Sequence, residues 1–442
     1  MQDKSYIPFT EEMKKDYTVL IPNMLPMHFR LIASVLNTYG IHAKLLETSG
    51  PQIAETGLKY THNDACYPAV LVIGQFMDAL LSGEYDPSKT ALIMFQTGGG
   101  CRASNYLPLI RKALVRAGLP QVPVISFSLF GLEKHPGFQL SLPMLRGMMY
   151  AVLYGDLLLT LVNQVKPYER RPGDAEALAA RWTERLGGEL GAGGKVRYAH
   201  VKQNYRRILA DFAAIPKEQR DTVRVGVVGE IFVKYSPLAN NHLADFLVSE
   251  GAEVTIPGLM DFCLFFIQNY LTEYQLYGRH VSSYAAYRIA KRFFSRRRED
   301  ISEALRQSGV FRPWTPFDKV MELTKGYISL GAKMGEGWLL TAEMLELADS
   351  GCKNIVCAQP FGCLPNHICG KGMMRPIKEK NPDINIVAID YDPGASRVNQ
   401  ENRLKLMLFN ARRTQTEEAA EAADYPVREP IAVDSPLLAH HA

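Results

Sequence analysis

Along this chain, short apolar runs alternate with stretches of helical spacing, and the series occurs twice. The run "YTVLIPN" precedes the helical "MHFRLIASVLNTYG", and "HAKLLET" then reads as a second strand, which completes a β-α-β unit. "ALIMFQ", the helix "YLPLIRKALVRAG" closed by Gly118, and "VPVISFS" continue it. The second series opens at the Val-rich "VRVGVVGE" and passes through "NNHLADFLVSEG" and "AEVTIPG". It ends with "NIVCAQP", "NIVAIDYD" and the helix "NRLKLMLFNARR". Strands separated by helices pair in parallel and are covered on both faces. The sequence therefore predicts an α/β protein with two parallel-sheet domains.

Length agrees with that division, because 442 residues exceed one ordinary core and suit two domains of roughly 200 residues each. Helical spacing dominates from about 140 to 212 and again from about 260 to 350, so each domain carries a helical insertion. The expected boundary lies near 215–222, which gives an N-terminal domain over 1–218 and a C-terminal domain over 219–413. Residues 414–442 are Ala/Glu-rich and then contain proline, and read as a flexible tail.

A formal charge of +4 is small for this length and argues against a nucleic-acid partner. The longest apolar stretch, "GFQLSLPMLRGMMYAVLYGDLLLTLV", is interrupted by Arg146 and Asp156, so it reads as buried helix rather than membrane span. The first twenty residues mix acids and bases and lack an apolar leader segment. With seven cysteines, an odd count, the expectation is a reducing cytoplasm with no disulfide framework.

Where the cysteines fall is informative. Cys66 lies in "HNDACYPAV", Cys101 follows "ALIMFQ" through "TGGG", and Cys357 and Cys363 lie in "NIVCAQPFGCLPNHICGKG". Ligands of open α/β sheets bind beyond the carboxyl ends of the strands, so separate segments deliver thiols to the edge where sites form. Gly98, Gly99 and Gly100 let the backbone turn sharply before Cys101 and leave amides free to point at sulfur. Cysteine is also among the most often buried residues, which is the reading for Cys263 and Cys352. Cys66, Cys101 and Cys363 sit instead among Gly, Pro and Asn. Cys357 ends its strand facing either way, and Cys369 is either a ligand or the start of a helix. Zinc sites favour close C-x₂-C pairs, which are absent, although His62 and His367 stand four residues from Cys66 and Cys363. Thiolates from distant segments suit an iron–sulfur cluster. Spacing leaves both metals open.

The motifs "NDACYPA", "QTGGGCRASNYLPLIRKAL", "VGEIFVKYSPLANNHL", "GEGWLLTAEM", "QPFGCLPNH" and "AIDYDPGASRVNQENRLKLML" resemble the 2-hydroxyacyl-CoA dehydratase superfamily. More narrowly they resemble its activase-associated branch, related to the dehydratase D-component and to double-cubane cluster proteins. The resemblance spans roughly residues 15–412. It implies Rossmann-like domains with an iron–sulfur cluster, [4Fe–4S] or double-cubane, held by cysteines in the cleft between them. It also implies that an ATP-dependent activase, itself an iron–sulfur ATPase, sends in a low-potential electron; this chain has no activase domain, so that partner acts in trans. Family dehydratases use the electron for radical loss of hydroxide from a 2-hydroxyacyl thioester, so the expected activity is dehydration or reduction of a small substrate such as an acyl-CoA. A homo- or hetero-dimer agrees with the family. Carried over residue by residue, Cys66, Cys101 and Cys363 match ligand positions, and Cys357 is the best fourth candidate. The alternative is a zinc-stabilised, non-catalytic binding or scaffold protein.

Two carboxylates complete the candidate set. Glu230 ends "VRVGVVGE" and Glu336 lies in "KMGEGW", each as a proton carrier beside the cleft or as a solvated or helix-capping residue. Asn240 and Asn241 bind substrate or cap the next helix, and Asp390 and Asp392 shape a Pro-Gly turn. The basic run "KRFFSRRRED" is a solvated face, or else a docking patch for the activase or for coenzyme A phosphates.

Overall fold

In the computed structural model, the described residues are 6–62, 64–95, 100–127, 133–192 and 196–424. Among the described residues eight strands form two four-stranded sheets, and every strand pair within them is parallel. The first sheet contains β1 (Thr18–Ile21), β2 (His42–Leu45), β3 (Thr90–Phe95) and β4 (Val124–Phe127), in the order β2-β1-β3-β4. The second contains β5 (Val223–Gly229), β6 (Ala252–Thr255), β7 (Asn354–Pro360) and β8 (Asn385–Tyr391), in the order β6-β5-β7-β8. All eight apolar runs read from the sequence are strands. The α/β class with two Rossmann-like parallel sheets is therefore the architecture of the molecule.

The two orders are the same pattern. In each sheet the chain steps to one side, returns past its first strand and continues on the other side. The reversal falls between β1 and β3 in the first sheet and between β5 and β7 in the second. Crevices open at such switch points, beyond the carboxyl ends of the strands.

Helices α1 (Pro26–Thr38), α2 (Tyr67–Leu81) and α3 (Tyr106–Arg116) cover the first sheet. The first insertion is α4 (Leu142–Val165), α5 (Asp174–Gly191) and α6 (Tyr198–Ala213). In the second half follow α7 (Ile231–Tyr235), α8 (Leu243–Ser249), α9 (Leu259–Tyr277), α10 (Tyr284–Ser308), α11 (Trp338–Asp349) and α12 (Arg397–Asp424). The period-2 geometry of a strand sorts its side chains between cores. Val225 and Val227 of β5, Val356 and Ala358 of β7 and Ile389 of β8 join a cluster that also contains Leu20, Leu92 and Val124 of the first sheet. Their alternates, Val228, Ile355, Cys357, Ile386 and Ala388, face a smaller cluster on the opposite side. One apolar core thus touches both halves.

Helix α4 is long and apolar enough to cross a membrane, yet 72% of its most apolar window is buried inside the molecule. Asp156, in its middle, accepts hydrogen bonds from the Leu259 and Met260 amides at 2.7 and 2.8 Å and stands 2.8 Å from His28 Nε2. These contacts fix the insertion of one half to the N-terminus of α9 in the other. A buried carboxylate with three partners belongs in a protein core, not in lipid.

Two expectations change. Helix α12 continues through Thr414 to Asp424, so the start of the predicted tail falls inside a helix; residues 425–442 lie outside the described ones. The basic run on α10 is not simply a solvated face, because Arg298 is buried against Asp261 at 2.9 Å. Arg297 lies over the Tyr198 ring at 3.5 Å, and Lys291 bonds Asp318 at 2.7 Å.

Candidate functional site

The carboxyl ends of β3, β5 and β7 deliver the candidate residues. Cys101 follows β3, Glu230 follows β5 and Cys363 follows β7, each beside a switch point. Cys66 arrives differently, as the residue before the first turn of α2. The Tyr67 amide in that turn donates to the Phe361 carbonyl at 2.9 Å, which fastens the β7 loop of the second half to the α2 entrance of the first. Gly362 (φ +72°) comes so near that a Cβ there would lie 3.1 Å from Cys66 Cα. Gly335 (φ +59°) is equally confined, since a Cβ would lie 2.8 Å from Pro365 Cγ and 3.6 Å from Cys101 Sγ. Only glycine accepts both the left-handed backbone and the close approach.

Cys66 and Cys363 are buried, and Cys101 is half-buried. Cys66 Sγ and the buried Tyr106 hydroxyl are 3.3 Å apart. Cys101 Sγ accepts weakly from the Ala103 amide at 3.5 Å. Burial raises the pKa of Cys66, opposed by the Tyr106 hydrogen bond, while the Glu230 charge raises it further. Burial pushes Cys101 up to about 12, with Glu336, Glu230 and Cys66 acting in the same direction. Cys363 is raised by burial and then by Glu336, Glu230 and Cys101. The Glu230 charge therefore acts on all three thiols, Glu336 on Cys101 and Cys363, Cys66 on Cys101, and Cys101 on Cys363. At neutral pH the thiols carry protons unless a cation draws them off.

Glu230 and Glu336 meet at the N-terminus of α7. Glu230 Oε2 accepts from the Val233 amide at 2.9 Å as the cap, and Glu336 Oε1 accepts from the Ile231 amide at 3.0 Å. Both are buried. Burial, then the charge of Glu336, pushes Glu230 up to about 8, so it holds a proton at neutral pH. Burial also raises Glu336, which amide bonds hold back. Capping thus coexists with a place among the thiols. Behind them, Lys234 Nζ bonds the Glu343 carboxylate at 2.8 and 3.1 Å, with both side chains 4% exposed.

Other candidates lie elsewhere or act otherwise. Cys357 is fully buried in the smaller core with its Sγ 3.7 Å from Asn366 Oδ1, so the structure does not bring this fourth candidate to the other three. Cys369 is buried in the turn after Cys363, raised by burial and by the Glu336 charge. The Gly100 amide donates to Met334 Sδ at 3.1 Å rather than to a thiol, and Gly98 and Gly99 lie outside the described residues. His62 stands 3.3 Å from Lys112 Nζ, and His367 is exposed. Asn240 Oδ1 accepts from the Leu243 amide at 3.1 Å and so acts as a cap. Sequence reading missed Tyr106, Lys234 and Glu343. Tyr106 stood five residues beyond Cys101 as a signal, whereas nothing local marked the pairing of Lys234 with Glu343.

Among the described residues, no three His, Cys, Asp or Glu side chains stand at the spacing that grips one metal ion. A single zinc needs its donors within about 2.0–2.3 Å of one centre. A cluster spreads its cysteine ligands wider, because several irons and sulfides lie between them. Free thiols from three segments around glycine-lined contacts have the donor chemistry of the second kind. No model of a known protein family matches this chain, and no curated protein matches it either.

Proposed function

We propose that the chain is a cytoplasmic iron–sulfur protein of the 2-hydroxyacyl-CoA dehydratase type, in which Cys66, Cys101 and Cys363 hold the cluster. The observation that carries this reading is the approach of the segments bearing Cys66, Cys101 and Cys363 from both halves, with the Glu230 charge acting on all three thiols. When bound, a cluster of this kind supplies one-electron chemistry at low potential, which an activase in trans would energise with ATP. The chain's own residues supply the rest. Glu230, protonated at neutral pH, holds a proton where a leaving oxygen would need one. Glu336, fixed by the Ile231 amide, is the neighbouring base. Phe361, Leu364 and Ile368, more than half exposed on either side of Cys363, give a partner an apolar surface with which to exclude water. The substrate class expected from the resemblance is an acyl-CoA, undergoing dehydration or reduction.

Anaerobic purification with iron, acid-labile sulfide and zinc quantitation tests the reading, followed by electron paramagnetic resonance of the reduced protein. Brown protein carrying iron and sulfide is expected. Colourless protein with stoichiometric zinc would replace it with the scaffold reading, and the absence of both metals would remove both.

A further inference from the structure

A second cavity, of about 290 Å³, lies between the halves and is lined by neither the candidate thiols nor Glu230 and Glu336. Helix α4 contributes Thr160, Asn163 and Gln164 to one wall. Arg224 of β5, the segment after β6, Arg298 and the 312–315 loop form the other. Most polar groups in the lining already have partners. Asp156 is held by amides and His28, Arg298 by Asp261, Arg312 by the buried Glu253, and Thr160 by Trp314 Nε1 at 3.0 Å.

Among the described residues two donors of the lining are left over. The Asn163 side chain is 8% exposed and its Nδ2 is buried without a hydrogen-bond partner. Arg224 Nε is likewise buried and unpartnered, and the guanidinium makes one bond, from Nη1 to the neutral Ser350 carbonyl at 3.2 Å. Among the described residues no carboxylate stands within ion-pair distance of Arg224. A half-buried guanidinium without a counter-ion and a buried amide nitrogen without an acceptor line one cavity, and an acceptor that reached both would relieve the cost carried by the buried amide and the buried Nε. Arg312, ion-paired to Glu253, adds positive potential nearby: burial and then the Arg224 charge lower its pKa to about 10, Tyr168 and Cys352 oppose them, and it remains a cation.

We propose that this cavity binds a small oxyanion, the carboxylate or phosphate group of a small metabolite, through Arg224 and Asn163. A planar guanidinium fork suits either oxyanion in bidentate fashion. The volume falls at the small end of ligand sites, roughly 300–1,000 Å³, so the occupant is a compact metabolite and not a coenzyme. Because the walls come from both halves, the bound anion bridges them. Glu346 is the opposing feature, a lining carboxylate outside any ion pair among the described residues, its Oε1 accepting from Thr315 Oγ1 at 2.6 Å.

Calorimetric titration of the full chain with inorganic phosphate, and separately with malonate at matched ionic strength, tests this site. Saturable one-to-one binding of at least one anion is expected, and which one binds tells a phosphoryl from a carboxylate ligand. Arg224→Gln and Asn163→Asp should each weaken binding at least tenfold. Glu346→Gln should bind as tightly or more tightly. Iron content should stay at the parental value in all three, which separates this site from the thiol site. Failure of both anions to saturate the folded parent overturns the proposal, as does undiminished binding in the variants. Should Arg224→Gln not fold, Asn163→Asp decides alone.

Discussion

Cys357 and Cys363 are six residues apart on one segment, yet they occupy different chemical worlds. Cys357 lies inside β7, where alternation points it into the smaller core with Ile355 and Ala388. Cys363 lies past the strand end, among carboxylates, with Cys101 near enough to raise its pKa. The contrast teaches that strand parity and strand termination decide whether a thiol fills space or offers a ligand. Burial does not, because both are buried.

The strongest way to break this contrast is to count metal. Cys101→Ala and Cys363→Ala should each lose most of the bound iron, while Cys352→Ala and Cys357→Ala keep it, as read by iron and sulfide per chain. Equal iron in all four variants would dissolve the distinction.

Charge offers the next largest effect. Lys234→Met leaves the Glu343 carboxylate buried without its cation and should cost about 3–5 kcal/mol in denaturant unfolding. Lys234→Met combined with Glu343→Leu should recover most of that loss. If the single variant unfolds like the parent, the pair contributes nothing to holding the ground behind the thiols.

The sign of the pH dependence sharpens the same picture. Glu230 has a folded pKa raised from 4.5 to about 8, so the folded chain keeps a proton that the unfolded chain releases. Its contribution is therefore complete below about 4.5 and is lost as pH rises toward 8, with a slope of at most ~1.4 kcal/mol per pH unit. In cluster-free protein, Glu230→Gln should make that decline shallower while keeping an acceptor for the Val233 amide. An unchanged slope would mean that Glu230 is solvated.

The smallest effect concerns Cys357 as filler. Cys357→Ala should destabilise the cluster-free chain by about 1–2 kcal/mol through the gap it leaves, measured by the shift in denaturant midpoint. No shift would place this thiol outside the packed core.

The sheets were legible because hydrophobic run length and helix punctuation are local signals. Each strand from Thr18–Ile21 to Asn385–Tyr391 sat where an apolar run had been read. Cys101 and Cys363 were legible as strand-end residues for the same reason. The facing of Cys357 was not, because a run buried on both faces carries no alternation of polarity to read. The pairing of Lys234 with Glu343 spans 109 residues of sequence and left no local trace. The Arg298 contact with Asp261 was hidden inside a run of charges whose other members are more exposed. Tertiary partners, unlike periodicity, are written nowhere near the residue they concern.

The bond from the Tyr67 amide to the Phe361 carbonyl joins the halves one residue from Cys66 and two from Cys363. Parting the halves at this seam breaks this clasp and separates the two cysteine-bearing segments that it flanks. A cofactor gripped by both would rivet that seam, and its loss would be felt mechanically, as a joint that parts more readily and admits a protease.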